Sequence, residues 1–192
     1  MLAHRERRRF SRDEYLAFEE RSQTRNEYYQ GEIYSMTGGS VEHNQVVRNF
    51  AGALLPRLKG GPCQLFVSDL RLWVAQHQLF TYPDLYVVCG ELARFEGRRD
   101  TLTDATLIVE ILSPSTEVYD RGEKFLFYQS LPSFREYVLV AQDHYLLERR
   151  TLTRPGEWLS SQFTSPEDRV ELSSLGAEVE VGDLYHQVVF PG

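Results

Sequence analysis

The clearest periodicity in the chain is helical. Between about Val41 and Leu58, the apolar residues Val46, Val47, Phe50, Ala51, Leu54, Leu55 and Leu58 recur on one face. Gly38-Gly39 breaks the chain before them and Ser40 is placed to cap, while Pro56 falls late enough to affect only the last turn. Upstream, Ser11 followed three residues later by Glu14 reads as a capping box for a short helix whose apolar side is Tyr15, Leu16 and Phe18. Two strand-like pieces around Gln30-Gly31 then predict a hairpin, with Glu27 and Glu32 expected at the surface. This helix and hairpin read as additions to a core that begins near residue 40.

After Gly60-Gly61-Pro62 the period changes to two. Residues 63–75 and 79–89 predict two strands joined by Gln76-His77-Gln78, with Asp69 and Arg71 giving the first a polar face of structural character. The interval 91–104 is polar and Arg-rich, a loop or short helix. The run T-L-I-V-E-I-L, residues 106–112, is apolar apart from Glu110, the pattern of a strand buried on both faces. Ser113-Pro114-Ser115-Thr116 ends that strand and opens a helix reaching about Ser130. Gly122 inside it costs about 1 kcal/mol relative to Ala, so packing or access to a site has to outweigh propensity. The strands R-E-Y-V-L-V-A, Y-L-L-E-R-R-T-L and E-W-L-S-S-Q-F follow, then short alternating pieces to the end. The expected fold is one α/β domain over residues 1–192, its core at about 40–141 running helix, three strands, helix, strand around a mixed sheet.

Two carboxylates disturb this apolar pattern. Asp84 follows Pro83, which removes a ladder donor and opens the sheet locally, and Glu110 lies in the buried run. If neighbouring strands bring them together, their repulsion calls for a cation, and oxygen ligands favour Mg²⁺ or Mn²⁺ over zinc. Lys124 stands one helical turn after Asp120, and Lys59 is the chain's other lysine. A lysine reaching the carboxylates could orient or deprotonate an attacking water and offset transition-state charge. Glu42 and His43, in the first turn of the long helix, are candidates adjacent to the site. Bland readings stand beside these: Asp84 capping a neighbouring amide, Glu110 salt-bridged to Lys124 or an arginine, Asp120 and Lys124 a surface pair worth about 0.3–0.5 kcal/mol.

The formal charge of −7 argues against a general nucleic-acid coating protein but not against a nuclease, whose acidic cluster is negative until metal binds. The basic groups Arg5 to Arg9, Arg48 with Arg57 and Lys59, and Arg94 with Arg98 and Arg99 read as solvated faces before contact surfaces. Cys63 and Cys89 lack a zinc-type spacing and suit a reduced, cytoplasmic protein. No apolar run is long enough to cross a bilayer, and the N-terminal stretch lacks the apolar region of a secretory signal.

Taken together, Y-P-D-L (82–85), V-E-I-L-S-P-S-T (109–116), D-R-G-E-K-F-L-F-Y (120–128) and F-R-E-Y-V-L-V (134–140) resemble the PD-(D/E)XK nuclease superfamily. With E-Y-L-A-F-E, Y-Q-G-E-I-Y and V-E-H-N before them, they resemble more closely the Uma-two family of restriction-endonuclease-like proteins. The resemblance implies a restriction-endonuclease-like core and a Mg²⁺- or Mn²⁺-dependent endonuclease that hydrolyses DNA phosphodiesters. Asp84 and Glu110 would be the metal ligands, Lys124 the catalytic lysine and Asp120 a supporting residue. It also implies DNA as partner and a homodimer whose two sites reach both strands. One departure stands out: the superfamily lysine two residues after the second acid is Leu112 here, so Lys124 has to reach the site from the next helix. Two alternatives are a nuclease fold retained for binding and a hydrolase of smaller phosphate esters.

Overall fold

The computed structural model describes residues 8–36 and 38–190. Residues 5–7 of the basic N-terminal group lie outside them, as does most of the stretch that argued against a secretory signal. Helix α1, Arg12–Glu19, carries the expected capping box, with Ser11 and Glu14 each accepting the other's backbone amide. Strands β1, Asn26–Tyr29, and β2, Glu32–Ser35, form the expected hairpin. Gln30 and Gly31 at its tip have φ of 47° and 95°, the positive values a two-residue turn of this hand requires. Helix α2 spans Val41–Leu58 and buries Val46, Phe50, Leu54 and Leu58, whereas Leu55 is exposed.

Each of the two long strands expected after α2 is broken. The first becomes β3, Cys63–Val67, and β4, Arg71–Val74; the second becomes β5, Leu79–Thr81, and β6, Leu85–Cys89. β3 and β6 belong to a six-stranded sheet, β4 and β5 to a five-stranded one. Ser68 at the first break has φ 41°, and Pro83 at the second has no amide to donate. The breaks face one another, with the Ser68 amide donating to the Asp84 carbonyl at 3.0 Å. Asp84 therefore sits where the chain passes between sheets. The single polar face expected for residues 63–75 does not exist: Asp69 is exposed in the break, whereas Arg71 is buried and paired with Asp100.

The five-stranded sheet is ordered β2-β1-β5-β4-β7, with β7 at Thr101–Leu102. The six-stranded sheet is ordered β11-β10-β9-β8-β6-β3, with β8 at Leu107–Leu112, β9 at Glu136–Ala141, β10 at Leu147–Arg154 and β11 at Glu157–Phe163. Within the six-stranded sheet only β8 and β9 are parallel, and a helix over residues 117–128 connects them. The expected order of helix, three strands, helix, strand is thus α2, β3-β6-β8, the 117–128 helix and β9. β8 and β9 are buried throughout, and their alternating residues serve two cores. Val109, Ile111, Val138 and Val140 pack on α2 and on the C-terminal hairpin formed by β12, Arg169–Leu172, and β13, Ala177–Glu180. Ile108, Leu112, Tyr137 and Leu139 pack on Phe127, Tyr128 and the five-stranded sheet. A third cluster, Tyr15, Tyr28, Trp73 and Phe80, fastens α1 to that second sheet.

The cysteines correct an expectation. Cys63 lies directly opposite Cys89 in the antiparallel β3–β6 register, with Cα atoms 3.9 Å apart, and the two form a disulfide rather than remaining reduced thiols. Among the described residues no helix is long and apolar enough to cross a membrane.

Candidate active site

Glu110 shares the face of β8 that carries Ile108 and Leu112, and it is only 2% exposed. Leu85 pairs with Val109 in the antiparallel β6–β8 register, which carries Asp84, one residue earlier, alongside Glu110. The Asp84 amide donates to Glu110 Oε2 at 3.3 Å, and the Ile111 amide donates to Asp84 Oδ2 at 2.8 Å. These lock two carboxylates side by side.

The 117–128 helix brings the lysine. It is α-helical over Glu117–Tyr119, widens into a π turn over Asp120–Lys124 and returns to α over Phe125–Tyr128. Such turns recur at functional sites. A Cβ on Gly122 would meet nothing within 4 Å, so packing is not what calls for glycine there. The Asp120 carbonyl accepts from the buried Tyr137 hydroxyl at 2.9 Å, which ties the π turn to β9. Lys124 Nζ lies 3.2 Å from Glu110 Oε1 and 3.1 Å from Asp120 Oδ1, and the residue is 6% exposed. Leu112 is buried in the apolar core, and Lys124 reaches Glu110 in its stead.

His43 completes the group from α2. The Ser40 hydroxyl accepts from the His43 amide at 3.1 Å, so the N-cap fixes the turn that places His43 Nε2 3.2 Å from Asp84 Oδ2. A Cβ on Gly39 would fall 2.7 Å from His43 Nδ1, so glycine is what lets the loop pass this close. Glu42, in the same turn, does not line the cavity described below. Its carboxyl is held below the usual range by its own backbone amide and the Ser40 hydroxyl, the behaviour of a first-turn cap.

His43, Asp84, Glu110, Asp120, Lys124 and Arg25 all line one cavity of about 500 Å³. A cavity of about 570 Å³ between Gln129–Arg135 and the β10–β11 turn is lined by no carboxylate, imidazole or lysine. The titratable side chains therefore gather at the first. Two buried atoms on its wall, His43 Nδ1 and Asp120 Oδ1, make no hydrogen bond, the latter despite its closeness to Lys124. Unsatisfied polar atoms at a cavity mark a place where a solvent or ligand group belongs.

Burial pushes the Glu110 carboxyl up to about 8; Lys124 and the Tyr128 hydroxyl pull it down, while Asp120 and Asp84 add to the rise. Burial works against the Lys124 ammonium, but Glu110, Glu27 and Asp120 outweigh it and hold the lysine protonated far above its ordinary range. Lys124 is accordingly a cation and hydrogen-bond donor, not a base, at neutral pH. His43 is raised: burial opposes its charge and the bond to Asp84 more than compensates. Tyr128 donates to Glu110 Oε1 at 2.8 Å, so Tyr128→Phe is expected to cost about 1–3 kcal/mol and lift the Glu110 pKa further. Denaturant unfolding and carboxyl-resolved NMR titration of the variant check both.

The bland contacts expected for Asp84 and Glu110, an amide and a lysine, are both present. They coexist with an excess of acid: Glu27, Asp84, Glu110 and Asp120 surround one lysine and one histidine. Glu27 was expected at the surface, but its side chain is 12% exposed and 3.7 Å from Lys124 Nζ. Among the described residues no three His, Cys, Asp or Glu side chains are grouped to cage a metal. Two adjoining carboxylates at an open cavity nevertheless suit Mg²⁺ or Mn²⁺, which are held by one or two carboxylates with water and substrate oxygens completing the shell.

Comparisons with known proteins show the family and the fold. Residues 12–182 match the Uma2 family model, described as "Putative restriction endonuclease". The chain is 35% identical to the uncharacterized protein slr1290 of Synechocystis sp. over 184 residues, covering 95% of this chain and 94% of that one. It is 32% identical to the uncharacterized protein sll1609 of the same organism over 162 residues, 84% and 92% of the two chains. A crystal structure from Anabaena variabilis, described as "a putative nuclease belonging to DUF820", shares the fold with a TM-score of 0.75 at 17% identity, covering 92% of this chain and 98% of that one.

Proposed function

Because the chain belongs to the Uma2 family of restriction-endonuclease-like proteins, we propose that it is a Mg²⁺- or Mn²⁺-dependent endonuclease that hydrolyses DNA phosphodiester bonds. The observation that carries this reading is the convergence of Asp84, Glu110 and Lys124 on one cavity, within a buried cluster that holds more acid than its own cations offset. Asp84 and Glu110 would hold the cation. When bound, it supplies Lewis-acid polarisation of a phosphoryl oxygen and lowers the pKa of the attacking water.

The remaining work falls to the chain. Lys124, kept protonated by its carboxylate neighbours, donates toward the reacting phosphate and offsets the negative charge that builds there. Asp120 keeps the ammonium from swinging away, and Tyr128 keeps Glu110 oriented. His43 holds Asp84 from the α2 side. Arg25, whose Nε pairs with Asp69 at 3.1 Å, lines the same cavity and would give a substrate phosphate a second cation through its remaining donors. A net charge of −7 makes such local cations necessary for any approach of DNA.

The test is conversion of supercoiled plasmid to nicked and linear forms. Cutting with Mg²⁺ or Mn²⁺ and none with EDTA is the expected result; tight DNA binding without cutting in either metal would favour a binding role. A pH dependence follows from Glu110. Between its ordinary value of 4.5 and about 8 the folded, metal-free chain keeps this proton while the unfolded chain has lost it. The unfolded state thus binds fewer protons, so metal-free stability falls as pH rises through that window. Mn²⁺ affinity rises across the same window, by up to about tenfold per pH unit, because the cation displaces the proton. Denaturant midpoints and calorimetric titrations at pH 6 and 8 measure the two trends.

A further inference from the structure

Lys124 has one neighbour that the helix-strand core does not supply. Glu27 belongs to the N-terminal hairpin, outside the α2-to-β9 core, yet its carboxylate lies 3.7 Å from Lys124 Nζ. Along β1, Asn26 and Tyr28 are buried, Asn26 bonded to Glu19 and Tyr28 packed against α1's Tyr15. Glu27 and Tyr29, pointing the opposite way, face the 117–128 helix: the Tyr29 ring packs 5.1 Å from that of Phe127. Glu27 is fixed in turn by the hydroxyl of Thr81, a fully buried residue of β5, which donates to Glu27 Oε1. Two strands of the second sheet thus combine to hold one carboxylate against the lysine.

A stability role alone accounts poorly for this arrangement. Lys124 already has Glu110 and Asp120 at 3.2 and 3.1 Å, and a third buried carboxylate adds desolvation cost and repulsion among the acids. An ammonium has three donors. If Glu110 is engaged by a cation, Asp120 and Glu27 still hold the Lys124 ammonium by charge from the helix and the hairpin, and the donor that Glu110 gives up can turn to the cavity. We propose that Glu27 is a positioning residue that holds the Lys124 ammonium in place, which makes the N-terminal hairpin part of the active site. This rests on the nuclease reading above.

The chain has two lysines, Lys59 exposed and Lys124 buried, so the side-chain ammonium of each is assignable in protein labelled with ¹⁵N at lysine. Spectra are taken of metal-free wild type, Glu27→Gln and Thr81→Val, beside plasmid nicking by each. The expected result is a protected Lys124 signal in the wild type that shifts and exchanges faster with water in both variants, while the Lys59 signal stays put. Nicking should fall about 10- to 100-fold in kcat, the usual scale for a residue acting through another, with KM for DNA unchanged. Glu27→Asp should recover part of that loss. A Lys124 signal unmoved in both variants, or wild-type kcat in both, would overturn the proposal. A wild type that does not cut in any metal would instead defeat the nuclease reading, and the lysine signal then decides the positioning role by itself. If Glu27→Gln does not fold, Thr81→Val carries the same measurement.

Discussion

Replacing Lys124 by alanine is expected to lower stability by about 3–5 kcal/mol at pH 8 and to reduce metal-dependent cutting by about 10²- to 10⁴-fold. The ammonium is the cation between Glu110, Asp120 and Glu27, at 3.2, 3.1 and 3.7 Å, and all but 6% of the residue is buried. Removing it leaves buried carboxylates with no partner, the costly case, whereas removing a pair together costs much less. Two controls separate charge from packing. At pH 5 the penalty should shrink, because Glu110 takes up a proton and stops needing a partner. Lys124→Met combined with Glu110→Gln should recover only the part of the loss that Glu110 causes, because Asp120 and Glu27 stay buried without their cation, and none of the activity. Urea unfolding at the two pH values and plasmid nicking provide the comparison. A loss under about 1 kcal/mol would mean that Lys124 is a solvated surface cation, contrary to its burial.

Asp84→Asn is expected to behave in the opposite way, keeping the fold while losing the metal. An amide oxygen can still accept from the Ile111 amide, and removing one charge relieves repulsion with Glu110, so stability should stay within about 1 kcal/mol of wild type. The same change removes one of two anionic oxygen ligands from the proposed cation site. Mn²⁺ affinity measured by calorimetry should drop at least about tenfold. The pair of variants therefore distinguishes the two residues: Lys124 matters to both folding and chemistry, Asp84 to chemistry.

Much of this arrangement is legible in the amino-acid order. The period of 3.6 defines α2 to its ends, and the Ser11–Glu14 spacing and Gln30-Gly31 define the first helix and the hairpin turn, because each is a local signal. Glu110 is conspicuous as the one acid in a continuous apolar run. What stays hidden depends on contacts between distant residues. Residues 63–75 alternate without interruption, yet the strand breaks at Ser68, where the chain must change sheets. The Cys63–Cys89 bond follows from a register that two cysteines 26 apart do not reveal. Glu27 looks like any polar residue on a hairpin; only the packing of the second sheet against the 117–128 helix carries it to Lys124. The one available cue is that Glu27 alternates with Asn26 and Tyr28 in a short strand, which is too weak to separate a buried acid from a solvated one. The π turn likewise depends on Tyr137 holding the Asp120 carbonyl from another strand.

The central claim is that Asp84, Glu110 and Lys124 form a metal-dependent phosphodiester-cleaving centre. Its most direct test is the nicking rate of supercoiled plasmid by wild type and Asp84→Asn, measured side by side across a Mn²⁺ series. The expected result is metal-dependent cutting by the wild type and a rate at least about 10²-fold lower in the folded variant. Equal metal-dependent rates for the two proteins would contradict it.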